Sequence, residues 1–254
     1  MLSKRVIPVL LLRGNGLYKT VQFKNPVYIG DPINAVKIFN EKEVDELCFL
    51  DIEASKNKKE PNYELLGKIV DEAFMPFGYG GNITNVEQVR KLLRIGIEKV
   101  VINTAAFDNR KLIPLLYDQF GASTVVASVD VKKNFFGKYE LYSHDGTQAQ
   151  KGNVFDHCEQ LEKAGAGELF VNSIDRDGKM TGYDISLIKE IANRVGIPVI
   201  ACGGAGKLEH IKECSDNTNA AAFAAGSLFV YHGPHKAVLI NYPTQNELKE
   251  LLKP

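Results

Sequence analysis

The sequence carries no excess charge: 31 Lys and Arg are balanced by 31 Asp and Glu. That removes the basic footprint expected of a nucleic-acid-binding or membrane-surface protein. No apolar run approaches the roughly 18 residues of a membrane span. The run Val6–Leu12 follows Lys4-Arg5, as the apolar core of a signal peptide would. It is short, contains Pro8, and leads into Arg13-Gly14-Asn15-Gly16 rather than a small-residue cleavage site, so it reads as a buried first strand. Cys48, Cys158, Cys202 and Cys214 form no Cys-x-x-Cys pair, and no His stands beside them at zinc-ligand spacing. Neither a disulfide framework nor a metal site is expected, and no cofactor is called for. The cysteines read as small buried hydrophobes in a reducing compartment, which makes the expected location cytoplasmic.

What is present is rhythm. The 254 residues, 44% hydrophobic and 24% charged, have the length of one (β/α)8 barrel. Eight short, nearly continuous apolar runs read as strands covered on both faces: Val6–Leu12, Glu46–Ile52, Met75–Tyr79, Lys99–Ile102, Thr124–Val131, Glu168–Ser173, Pro198–Cys202 and Ala220–Ala224. Amphipathic segments lie between most of them. Asp31-Pro32 opens one helix, a capping box at Thr84-Asn85-Val86-Glu87 opens another, and Asp184 opens Ile185–Arg194. The polar, aromatic stretch 132–152 reads as a β-hairpin inserted after strand five of a single barrel spanning the chain. The two halves also align without a gap. At one constant offset Met75-Pro76-Phe77 meets Ile197-Pro198-Val199, Gly81 meets Gly203, Val86-Glu87 meets Leu208-Glu209, and Glu46-Leu47 meets Glu168-Leu169. The expected fold is therefore an α/β TIM barrel built from two half-barrel repeats.

Barrel chemistry sits at the C-terminal strand ends. Gly80-Gly81-Asn82 follows strand three, and Gly203-Gly204-Ala205-Gly206 follows strand seven. Small residues with donors follow strands four (Asn103-Thr104-Ala105) and eight (Ala225-Gly226-Ser227). Glycine-rich turns running into helix starts suit phosphate, and their duplication predicts two phosphate sites on opposite sides of the mouth. The candidate phosphate and substrate residues are Gly81, Asn82, Asn103, Thr104, Ser128, Ser173, Gly178, Gly203, Gly204, Gly226 and Ser227. Asp130 ends strand five, and Asp177 follows strand six within Asp175-Arg176-Asp177-Gly178. Lys19 lies in the polar loop after strand one. Asp130, Asp177 and Lys19 are the catalytic candidates, with Asp130 placed to exchange a proton.

These residues carry a resemblance. Lys4-Arg5-Val6-Ile7-Pro8, Phe49-Leu50-Asp51-Ile52, Ile102-Asn103-Thr104-Ala105-Ala106, Ser173–Gly178, Gly182-Tyr183-Asp184 and Ile197–Gly206 resemble the HisF family, the cyclase subunit of imidazole glycerol phosphate synthase, over nearly the whole length. The resemblance implies a two-phosphate barrel that receives ammonia along its axis from a partner glutaminase. It also implies that Arg5, Glu46, Lys99 and Glu168, at the starts of strands, gate that ammonia, and that Glu98 beside them contacts the glutaminase. One departure is large. The family uses an aspartate at the end of strand one as well as strand five, and here that position is Leu11. The internal repeat agrees once strand one is shifted by three residues from the offset of the segments above, pairing Val9–Leu12 with Ser128–Val131. Tyr79 and Asn82 also depart from the family's strand-three loop. The segment Phe229–Pro243 looks like a branch that works on surface polysaccharides and glycans, converting an acetamido group of a nucleotide sugar to acetamidino. Histidine-pathway cyclisation, a non-catalytic scaffold for the glutaminase, and a sugar-phosphate isomerase are the competing readings.

Overall fold

A computed structural model describes residues 4–253. The first half runs β1 (Arg5–Arg13), β2 (Gly16–Val21), β3 (Lys24–Gly30), α1 (Pro32–Glu41), β4 (Leu47–Asp51), α2 (Tyr63–Val70), β5 (Phe77–Gly80), α3 (Val86–Arg94), β6 (Lys99–Ile102), α4 (Thr104–Asp108) and α5 (Leu112–Phe120). The second runs β7 (Val125–Lys133), β8 (Tyr139–Ser143), β9 (Gln148–Gln150), α6 (Val154–Lys163), β10 (Glu168–Ser173), α7 (Ile185–Arg194), β11 (Val199–Cys202), α8 (Leu208–Asn217), β12 (Ala222–Ala225) and α9 (Ser227–Val230). A short hairpin, β13 (Tyr231–His232) and β14 (Ala237–Val238), and α10 (Gln245–Leu251) follow.

Eight strands pair in parallel in the order β1, β4, β5, β6, β7, β10, β11, β12, and β12 returns to β1. This is the expected (β/α)8 barrel, with every expected strand in place to within a few residues. Its near-continuous apolar runs have a physical reason, because alternate side chains feed two different cores. One set, including Val6, Leu10, Phe49, Phe77 and Val129, packs under the helices. The other, including Ile7, Val9, Cys48, Val101, Val126, Phe170 and Ile200, fills the lumen. All four cysteines are free and buried.

Local signals explain the helix starts. Asp31 accepts the Asn34 amide and Pro32 follows it. Asp184 accepts the Leu187 amide. At α3 the cap lies one residue later than the sequence reading placed it. Asn85 accepts the Gln88 amide, and Gln88 reaches back to the Thr84 amide at 2.7 Å. Thr84 is therefore the residue before the cap.

Each half also extends its first strand by an antiparallel pair. β7 continues into β8 and β9, and β1 continues into β2 and β3. The segment holding Lys19 is therefore strand β2, not a loop. The two inner turns meet above the mouth, where Gly146 lies against Phe23 and Ile174.

Candidate active site

Strand parity builds the mouth. On β7, Ser128 and Asp130 face the lumen. Register sets Asp130 beside Asn172 of β10 and Tyr142 of β8. The matching end of β1 carries Leu11, set beside Leu50 of β4 and Tyr18 of β2. Leu11 and Leu50 pack on the lumen cluster. One side of the mouth is thus an aspartate with an asparagine, and the equivalent side is two leucines.

Asp130 is only 9% exposed. Burial, with the negative charges of Asp145 and Asp177 nearby, raises its pKa to about 7, against a hydrogen bond with Ser128 that favours the anion. Asp177 accepts the Lys19 ammonium at 3.3 Å, the Thr20 hydroxyl at 3.2 Å and the Phe23 amide at 3.5 Å. The lysine stem crosses Gly226 so closely that a Cβ there would stand 3.0 Å from Lys19 Cε. Glycine at 226 therefore admits the buried Lys19 ammonium to the start of α9.

Three helices that follow barrel strands begin at this mouth without a side-chain cap: α4, after Asn103, α8, after Lys207, and α9, after Gly226. By contrast α1, α2, α3, α6 and α7 are capped by Asp31, Asn62, Asn85, Asn153 and Asp184. First-turn amides left without side-chain partners, in strand ends related by the repeat, are chemically suited to an anion. Asn103 spends its side-chain amide on Ser128 O at 3.1 Å, and the Thr104 hydroxyl accepts the His144 amide at 3.0 Å. Ser227 opens α9 and is buried.

Other candidates stand differently from their sequence reading. The Asn82 side chain donates to Lys59 O at 2.8 Å, so it ties down the loop after β4, with Gly81 beside it over the Tyr79 hydroxyl. Ser173 does not face the lumen. Alternation along β10 turns Asn172 inward and Ser173 toward the helices. Gly178 backs onto Thr20. Gly204 has a left-handed φ of 111° and a Cβ there would lie 2.1 Å from Gly182 O, so loop packing alone requires glycine beside Gly203. Three residues at the mouth escaped the sequence reading: Asp51, Asn172 and Asp145. Parity counted from Glu168 and Phe170 would have reached Asn172; nothing periodic marks Asp145.

At the opposite rim the four charged strand starts converge. Arg5 pairs with Glu46, and with Glu168 at 2.9 Å; Lys99 bridges Glu46 at 2.9 Å and Glu168 at 3.3 Å. Burial works against the Arg5 charge, but Glu168 and Glu46 outweigh it and raise its pKa. Directly above the ring is a cavity of about 10 Å³ lined by Ile7, Cys48, Gly78, Val101, Val126 and Phe170, room for about one water-sized molecule. Glu98 is exposed next to Lys99.

A parallel barrel whose buried carboxyl closes a strand end at the C-terminal mouth belongs to the class of barrel enzymes that work at that face. Residues 5–235 match the family model described as histidine biosynthesis protein, and the chain belongs to this family as a HisF-type synthase subunit. It is 52% identical over 248 residues, 98% of this chain and 99% of the relative, to a Pseudomonas aeruginosa protein provisionally named imidazole glycerol phosphate synthase subunit hisF2. A Leptospira borgpetersenii protein provisionally named imidazole glycerol phosphate synthase subunit HisF is 48% identical over 255 residues, covering both chains fully. The imidazole glycerol phosphate synthase subunit HisF of Streptococcus sanguinis is 35% identical over 231 residues, 91% of this chain and 92% of the relative.

Proposed function

We propose that this chain is the synthase subunit of a cytoplasmic glutamine amidotransferase that adds ammonia to the acetamido group of a nucleotide sugar, giving an acetamidino group. A glutaminase docks at the rim holding Arg5, Glu46, Lys99 and Glu168 and delivers ammonia through that ring. The diphosphate of the substrate lies against the open starts of α4 and α9, with Lys19 balancing its charge. Asp130 takes a proton from the incoming nitrogen or steadies the charge forming at the carbonyl carbon. Asp177 holds Lys19 in place.

The observation that carries the substrate reading is Leu11. Ring closure of a ribulosyl aminoimidazole carboxamide nucleotide in this family calls on an acid at each of two strand ends, and leucine moves no proton. Losing one member of such a pair typically costs about 10²–10⁴-fold. Amidination of a sugar keeps the use for phosphate contacts and has none for that particular aspartate. The names of the relatives favour histidine-pathway cyclisation instead, so the two readings are set against each other directly. The protein is supplied with ammonium salt and either an acetamido nucleotide sugar or the ribulosyl nucleotide, and products are followed by mass spectrometry. Amidination of the sugar is the expected result. Robust formation of imidazole glycerol phosphate would overturn it, and no turnover of either, with the glutaminase still activated on binding, would leave a scaffold.

A further inference from the structure

Amidination must move two protons. Ammonia forms a bond to the acetamido carbon, the carbon–oxygen bond breaks, and the oxygen leaves as water. Two protons therefore pass from the attacking nitrogen to that oxygen. One carboxylate and one carboxylic acid facing the same carbon can do this between them. Asp130 is one such group, and Leu11 is not the other.

Three further carboxyls approach the mouth, and their partners separate them. Asp177 is held by Lys19 and Thr20. Asp51 Oδ1 accepts the Glu53 and Ala54 amides at 2.9 and 3.0 Å, which fixes it as a turn anchor. Asp145 is different: its Oδ2 is buried and has no hydrogen-bond partner among the described residues. An unmatched buried oxygen is costly unless a ligand or a proton completes it.

The chain goes to some length to put it there. His144, Asp145 and Gly146 have φ of 51°, 56° and 72°, three consecutive left-handed residues of which two are not glycine. The turn is held by the His144 amide on Thr104 Oγ1 at 3.0 Å and by the Thr147 hydroxyl on His144 O at 2.6 Å. Its next residue, Gly146, touches Phe23 and Ile174 across the opening. Asn172, also buried with an unpartnered Oδ1, sits in register beside Asp130. The mouth thus has two unmatched polar atoms, one beside Asp130 in register and one on a residue whose charge reaches Asp130.

We propose that Asp145, carried in by the β8–β9 turn, is the second proton-transferring carboxyl of this active site and replaces the acid missing at Leu11. The inference rests on the amidination reading above. The charged groups around Asp145 are Asp51 and Lys56 from the end of β4 and the turn after it, Asp130 from β7, and its neighbour His144, with Lys19 and Asp177 completing the set around Asp130. Burial, then Asp51, raises the Asp145 pKa to about 6; a hydrogen bond from the Lys56 amide, and then the charges of His144 and Lys56, act the other way. Asp130 is raised as well, to about 7, so both carboxyls are shifted toward neutrality.

The test uses the synthase with its glutaminase, an acetamido nucleotide sugar, and ammonium chloride adjusted to a constant free-ammonia concentration across pH. Asp145→Asn is expected to lower kcat about 10²–10⁴-fold, keep KM within a few-fold, and remove one limb of the pH–kcat profile, with Asp145→Glu restoring part of both. Unchanged kcat with both limbs present overturns the proposal. A second measurement is independent of turnover: ¹³C NMR titration of aspartate carboxyls. Asp145→Asn is expected to move the Asp130 midpoint down, since a neighbouring negative charge is lost. An unmoved midpoint overturns the pairing whatever the substrate. A moved midpoint without turnover of any nucleotide sugar supports the pairing and overturns the substrate class instead.

Discussion

Asp130 is a carboxyl held where its charge is unfavourable, and this has a consequence for stability that can be read without substrate. Its folded pKa of about 7 lies above the ~3.9 of an unfolded aspartate. The native state therefore binds the proton more tightly than the unfolded chain between those values, and stability falls as pH rises from about 4 to 7. Asp145, also raised, contributes with the same sign. Asp130→Asn is expected to flatten this fall, by an amount on the order of a few kcal/mol, while amination activity drops about 10²–10⁴-fold. Thermal unfolding of both proteins from pH 5 to pH 8 checks it; parallel curves would show that Asp130 is not the group that titrates. The residue was legible in the sequence because a carboxylate ending an apolar run stands out. Its neighbours were less so. Ser173 and Asn172 are adjacent polar residues at one strand end, and only parity tells which enters the lumen. Asp145 sits in a polar turn where no period exists to place it.

At the scale of elements, the eight barrel strands were legible because burial on both faces leaves a continuous apolar run. β2 and β3 were not, because β3 is exposed along most of its length and offers no such run. The result is a pair of hairpins, related by the internal repeat, that meet over the mouth. The opposite strand ends carry the ring, whose part in stability can be separated from the transport proposed for it. Glu46 is 5% exposed and bonds to both Arg5 and Lys99. Removing one member of a buried ion pair costs about 3–5 kcal/mol because its partners stay behind. Glu46→Gln keeps the shape and removes the charge, and is expected to lower Tm by roughly 6–20 °C in a chain of this size. If the ring also gates ammonia, the same change lowers glutamine-driven turnover more than turnover driven by added ammonium, which enters from the open mouth. Equal losses in the two assays would leave the ring as a structural network alone.

The whole molecule has two rims joined by a closed lumen, and the internal repeat treats them differently. At the lower rim the repeat is kept: Glu46 and Glu168 are repeat mates and share the same two cations. At the upper rim it is broken: Asp130 and Asn172 stand where the other half has Leu11 and Leu50. Symmetry suits a ring that admits one small molecule along the axis, whereas asymmetry suits a surface that must orient a long substrate and place its reacting carbon on one side. A partner that feeds the axis has to cover the lower rim, and its contacts should be separable from catalysis. Glu98 lies exposed beside Lys99, and Phe74, 88% exposed just ahead of β5, is the large apolar side chain standing free at the same rim. Neither makes contacts that hold the fold, so Glu98→Lys with Phe74→Ser should leave Tm unchanged. Loss of an exposed aromatic side chain that a partner would cover and reversal of a rim charge together are expected to weaken glutaminase binding by about 30-fold or more. Calorimetric titration measures that change. Glutamine-driven activity should then fall at low protein concentration and return as the glutaminase is raised, while ammonium-driven activity stays constant throughout. Unchanged affinity in the double variant would place the docking surface elsewhere on the barrel.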